Sequence, residues 1–185
     1  MELPRRNLIQ YYKGVKGPSI FIVSSYLMIV FILLSTPTTN TSHLILVIAG
    51  WTLLITWILY SVYAENQRLV TSLEKSEVFN YLNSQVFQLK EKTVFFTYDL
   101  NFEGHLEDCF IVVAIMKRQG LFWNKYYLHL LGLTDEKLKL VETGYSDKIR
   151  LKEYREPIRL TTSTDTRSRL DEGLGQFIKE LVTKD

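Results

Sequence analysis

The sequence predicts an α+β membrane protein, in which an N-terminal transmembrane hairpin of two helices precedes an antiparallel β-sheet or barrel closed by a C-terminal amphipathic helix. Three observations carry this expectation. Two apolar stretches, about 18–35 and 44–64, contain no Asp, Glu, Lys or Arg. From Thr93 onward the chain carries short runs rich in Val, Ile, Phe, Tyr and Thr. Near the end, Leu170, Leu174, Phe177, Ile178 and Leu181 recur at helical spacing.

A bilayer's hydrocarbon core is about 30 Å thick and takes roughly 20 helical residues to cross, since a helix satisfies its backbone hydrogen bonds within one segment. The second stretch meets that length and the first just does. The linking residues Thr36 to Ser42 are Thr, Pro, Asn and Ser, enough for a turn and no more. No small-residue cleavage site follows the first stretch, as a removed signal peptide would require. Arg5, Arg6, Lys13 and Lys16 precede the first span against Glu2 alone, and the turn is uncharged. The positive-inside rule then puts both termini on the cytoplasmic side, or the stromal side in an organelle. Tyr11, Tyr12, Trp57, Tyr60 and Tyr63 are placed to form an aromatic belt there.

The spans hold no charged residue, which argues against a channel or carrier. His43 falls at the outer boundary. Thr52 and Thr56 share a helical face and, with Ser24 and Ser25, can hydrogen-bond between helices. Trp51 lies deeper than an interfacial tryptophan should and beside Gly50. Gly50, Trp51, Thr52 and Thr56 therefore form a candidate intramembrane contact.

A hairpin in the first third of 185 residues leaves about 120, enough for one domain with its own core. The expected division is an anchor over 1–64, a helical connector with a possible break over 65–92, and a β-domain over 93–185. The net charge of +2 with 23% charged residues gives no global field for nucleic acid. The one cysteine, Cys109, has no partner in the chain and opens an apolar run, as a buried inert thiol does.

Strands are expected at Thr93–Leu100 and Cys109–Arg118, with a polar turn containing Gly104 between them. Gln119 and Gly120 then turn the chain into Leu121–Leu133, and shorter strands follow at Lys137–Glu142, Lys148–Tyr154 and Pro157–Thr161. Thr164 or Asp165 can cap the closing helix over Asp165–Val182. Gly173 and Gly175 weaken that helix by about 1 kcal/mol each, which points to close packing there.

The ending Pro157 to Leu181, PIRLTTSTDTRSRLDEGLGQFIKEL, resembles the strand, polar turn and amphipathic helix of small bacterial and plastid membrane proteins that carry a pleckstrin-homology-like domain after two transmembrane helices. The resemblance covers the last quarter of the chain and the overall layout. It implies a PH-like barrel and, since some proteins of this layout help to build membrane complexes, an accessory role. It brings no functional residue with it.

Lys117, Arg118 and Lys125 flank a turn that also carries Phe122, Trp123, Tyr126 and Tyr127. Strand alternation sets Phe122 and Tyr126 opposite Trp123 and Tyr127, so only one pair enters a single core. The other pair with its cations is the candidate surface for a protein partner or a lipid headgroup. Glu103, His105 and Glu107 would share one side of an extended chain, a usable but unspecific donor set for a divalent cation, and a solvated turn is the preferred reading. Lys148, Arg150, Lys152 and Arg155 suit a charged edge strand. His129 sits inside an apolar strand, and no nucleophile elbow, phosphate loop or paired Cys motif occurs. The expected function is a non-enzymatic, cofactor-free membrane accessory protein that binds a protein partner, in assembly or regulation of a membrane complex. A lipid-binding module and an immunity protein against a membrane-active toxin are the alternatives.

Overall fold

The protein is α+β, with six helices and an open antiparallel sheet among the described residues. The computed structural model describes residues 3–15, 17–35, 41–93, 97–119, 124–142 and 149–183. In order the elements are α1 (Leu8–Lys13), α2 (Gly17–Ser35), α3 (Thr41–Glu74), α4 (Glu77–Ser84), β1 (Gln88–Thr93), β2 (Tyr98–Leu106), β3 (Cys109–Gln119), β4 (Asn124–Thr134), α5 (Asp135–Glu142), β5 (Lys152–Glu153), β6 (Ile158–Arg159) and α6 (Thr164–Thr183). Two compact units result: a helical unit of Pro4–Leu69 with Thr93–Tyr98, and a sheet unit of Met1–Leu3, Val70–Lys92 and Asp99–Asp185.

Helix α3 holds a segment, Ile45–Glu74, long and apolar enough to cross a membrane, while the apolar part of α2, Gly17–Ile32, is shorter. Phe31, Leu46, Leu53 and Trp57 point outward, and Ser25, Ile29 and Ile55 are buried. Polar ties link the segments: Tyr63 Oη and Gln67 Nε2 each donate to the Arg6 carbonyl at 3.1 Å, Tyr12 Oη donates to the Leu59 carbonyl, and Tyr26 meets Thr52 at 2.7 Å. Numbers rise on one side as they fall on the other, the pattern of an antiparallel pair.

Tyr11 departs from its expected place in an exposed belt. It is fully buried, with the rings of Tyr12, Tyr63 and Tyr98 edge-on at 5.0–5.6 Å, and its carbonyl accepts from Tyr98 Oη at 3.1 Å. Arg6 lies 4.3 Å over the Tyr98 ring. Gly14 lets this ring in, because a Cβ there would overlap the Tyr98 hydroxyl. Burial, then the neighbouring Tyr12 and Tyr98, push the Tyr11 phenol far up, and burial alone raises Tyr12 to about 12. Trp57 and Tyr60 are exposed.

The sheet unit begins within α3, which runs on to Glu74. The Ser76 hydroxyl then caps α4 by accepting from the Val78 amide at 3.2 Å. The expected connector helix therefore breaks at Lys75–Ser76 and gives way to β1, which starts inside the stretch expected to be helical. Sheet order is β1-β2-β3-β4-β5, with β6 also on β4, so β1 forms one edge and no barrel closes among the described residues. Gly104 lies within β2 rather than in a turn. A Cβ on it would stand 2.9 Å from the Phe87 ring, so glycine makes room for a buried aromatic. The turn is instead Glu107–Asp108, both at positive φ, between the paired Leu106 and Cys109.

One face of the sheet carries Leu100, Phe102, Ile111, Val113, Leu128 and Leu130, all buried. Against it α6 sets Leu170, Leu174, Phe177, Ile178 and Leu181, each worth about 1.5–3 kcal/mol when removed from water. Gly173 lies close to Ile158, as its expected packing role requires, whereas Gly175 faces open space. Cys109 is a buried thiol outside any disulfide. Tyr81 of α4 donates to Asp171 of α6 at 2.5 Å, tying the two helices.

Residues Lys137–Glu142, expected as a strand, belong to α5. The alternation of Lys137, Leu138, Lys139 and Leu140 is overridden by good helix formers behind Asp135 and Glu136, two carboxylates suited to a helix start. The strands expected at Lys148–Tyr154 and Pro157–Thr161 shrink to Lys152–Glu153 and Ile158–Arg159, with Lys148 outside the described residues.

Candidate interaction surface

The long hairpin of β3 and β4 pairs Met116 with Tyr127, Lys117 with Tyr126, and Arg118 with Lys125. Because side chains alternate across a sheet, Met116, Arg118, Lys125, Tyr127 and His129 share the face away from α6, while Lys117 and Tyr126 share the face of Ile115 and Leu128. The expected surface residues thus divide between two faces. Tyr126 and Tyr127 are both half-buried, so neither ring is wholly given to the core. Phe122 and Trp123 lie outside the described residues.

A cleft of about 240 Å³ opens here, lined by Met116, Lys117, Arg118, Tyr127, His129 and Pro157. Its lining is largely apolar: Met116 is 45% exposed, and the Tyr127 ring and Pro157 line the same cleft. His129 meets Glu153 of β5 at 2.8 Å, which holds the imidazole and places a carboxylate nearby. Arg118 and Lys125 are exposed directly across from one another, and neither enters an ion pair among the described residues. Arg159 of β6 stands opposite Tyr127 in register and adds a third cation at this end of the sheet.

The Glu103, His105 and Glu107 set does not come together as a metal centre. Glu103 pairs with Lys90 at 2.5 Å, His105 meets Asp135 at 3.1 Å, and Glu107 lies at positive φ in the hairpin turn. Among the described residues, no three His, Cys, Asp or Glu side chains are grouped to hold a metal ion.

In the helical unit the residues Gly50, Trp51, Thr52 and Thr56 have separate surroundings. Thr52 Oγ1 donates to the Ile48 carbonyl at 2.8 Å, so Tyr26 is the donor in the Tyr26–Thr52 bond. Thr56 donates within its own helix to the Thr52 carbonyl. Gly50 faces open space, while Trp51 is half-buried with its indole N–H enclosed and without an acceptor. Sequence reasoning missed Tyr26 and Tyr98, whose partners lie 26 and 87 residues away.

The chain matches no protein-family model, no curated protein and no solved structure.

Proposed function

We propose that the chain is a non-enzymatic, membrane-anchored accessory protein. Helices α2 and α3 span the bilayer as a hairpin with both termini on the cytoplasmic or stromal side, and the sheet unit binds a protein partner belonging to a membrane complex. The carrying observation is the continuity of α3. Its 34 residues make a rod of about 51 Å. A 30 Å hydrocarbon core takes up about 20 residues, and the charged stretch from Glu65 to Glu74 continues the same helix beyond the apolar part. A helix that carries charged residues on past about 20 apolar ones has the form of a span that emerges from the bilayer.

The antiparallel ties of Tyr12, Tyr26 and Tyr63 support the hairpin, and Arg5, Arg6 and Lys13 support its orientation. Tagged full-length protein, isolated from its native membrane in mild detergent, is expected to carry a partner in stoichiometric amount. Labelling of cysteines placed near each terminus is expected to reach both from the same side. An isolated monomer under several conditions would remove the accessory reading, and opposite labelling would remove the hairpin.

A further inference from the structure

Two cations placed directly opposite each other on neighbouring strands destabilise a sheet. Arg118 and Lys125 are so placed, with no ion pair among the described residues to offset the repulsion. Arg118 lines a cleft that Met116, the Tyr127 ring and Pro157 make largely apolar, and Lys125 stands opposite Arg118 in register. Met116 stays 45% exposed, although other residues of its face on β3, Val112 and Ala114, are buried. The fold itself gains nothing visible from either feature.

Resting on the accessory reading, we infer that this cleft is the docking site for an acidic peptide segment of the partner, with one large apolar side chain entering the cleft and its flanking carboxylates meeting Arg118 and Lys125. The complementarity has two parts. Met116, the Tyr127 ring and Pro157 offer an apolar side chain removal from water, and Arg118 with Lys125 offers paired charge. A bare phosphate or lipid headgroup fits less well, because Met116, the Tyr127 ring and Pro157 offer it no polar contact and Glu153, held by His129 at 2.8 Å, brings a negative charge close to the cleft wall. That carboxylate repels an anion entering the cleft and leaves an apolar side chain indifferent.

The test uses full-length protein in discs of zwitterionic lipid and a labelled five-residue peptide, one Phe with two Glu on each side, read by fluorescence anisotropy. Binding is expected, weakening as salt rises. Replacing the Phe by Ala in the peptide is expected to weaken it by about tenfold or more, as follows from losing a large apolar contact. The double variant Arg118→Glu, Lys125→Glu should lose binding. Single Lys125→Glu, which turns a repelling pair into an attracting one, should also weaken binding and yet melt no lower than the parent, which separates lost docking from lost folding.

The inference is overturned if the peptide does not bind, if the Ala peptide binds equally well, or if inorganic phosphate or vesicles of anionic lipid bind where the peptide does not. A double variant that still isolates with its native partner would overturn this surface and leave the accessory reading standing. Absence of any co-isolating partner would instead strike the accessory reading.

Discussion

In the sheet unit Phe102, Leu128, Leu130 and Leu170 are wholly out of water, and the elements hold together through what they bury. In the helical unit Phe31, Leu46 and Leu53 are each 71% exposed, and the connections are hydroxyl-to-carbonyl bonds from Tyr12, Tyr63 and Tyr98 with one Tyr–Thr pair. On the proposed membrane-spanning reading, the difference follows from the solvent each unit is built for. Water drives apolar side chains together. Lipid does not, so helices there associate through packing and hydrogen bonds. If that account is right, truncating apolar groups should hurt the sheet unit far more than the helical one. Polar and steric changes at the tyrosine cluster should act in the reverse sense.

The largest effect is expected from Phe177→Ala. The ring is 2% exposed, packs edge-on against Tyr154 and lies 3.0 Å from where a Cβ on Gly132 would be. Its removal should cost about 3–5 kcal/mol in denaturant unfolding of the sheet unit. Leu53→Ala in the outward face of α3 should cost almost nothing in the same protein. Equal losses at the two sites would break the comparison.

Next in size is Gly14→Ala. Gly14 has φ −89°, which alanine adopts freely, so any loss isolates the collision with Tyr98. Overpacking of this kind costs about 1–3 kcal/mol. In a double-mutant cycle the penalty should nearly vanish in the Tyr98→Ala background, because the hydroxyl in the way is gone. A penalty that persists there would mean the cluster is not built around Tyr98.

How much of this was legible depends on how local each signal was. Helix α6 could be read to within a residue or so because its apolar period and charged face lie in one continuous stretch. The β3 strand was equally plain, being one long apolar run opening at Cys109. At β1 two periods overlap: Val78, Leu82, Val86 and Leu89 continue a helical spacing, while buried Phe87 and half-buried Leu89 alternate with exposed Gln88, Lys90 and Lys92. What decides in favour of the strand is Val86 at φ 63°, which ends α4 where a glycine would ordinarily sit. Val86 is 80% exposed, so its side chain contributes little burial. Val86→Gly should therefore stabilise the sheet unit by about 1 kcal/mol, measured by its unfolding midpoint. The interaction cleft was half legible: the cations were visible in sequence, but their cross-strand opposition needed the register.

A similar but smaller expectation concerns the polar link inside the sheet unit. Burial first, then the hydrogen bond to the Asp171 carboxylate, raise the Tyr81 phenol to about 12 from its ordinary 10. The folded state thus keeps a proton that the unfolded chain releases. Stability from this group is complete below pH 10 and is lost as pH rises from 10 to about 12. Tyr81→Phe should cost about 1 kcal/mol at neutral pH and should flatten the fall in stability over that alkaline window.

The smallest effect should come from the hydrogen bond that most directly joins the two apolar helices. Tyr26 donates to Thr52 Oγ1, which itself donates to the Ile48 carbonyl, so Tyr26→Phe removes one interhelical bond and leaves the Thr52 bond within α3 intact. Hydrogen bonds between helices in lipid average about 0.6 kcal/mol, because separated helices also find other partners there. Unfolding of the full-length protein in lipid bicelles should register a loss of that order for Tyr26→Phe. A loss as large as that of Gly14→Ala would shift the weight of the helical unit from its tyrosine cluster to the contact between α2 and α3. No measurable loss would leave the cluster of Tyr11, Tyr12, Tyr63 and Tyr98 as the main fastening of that unit.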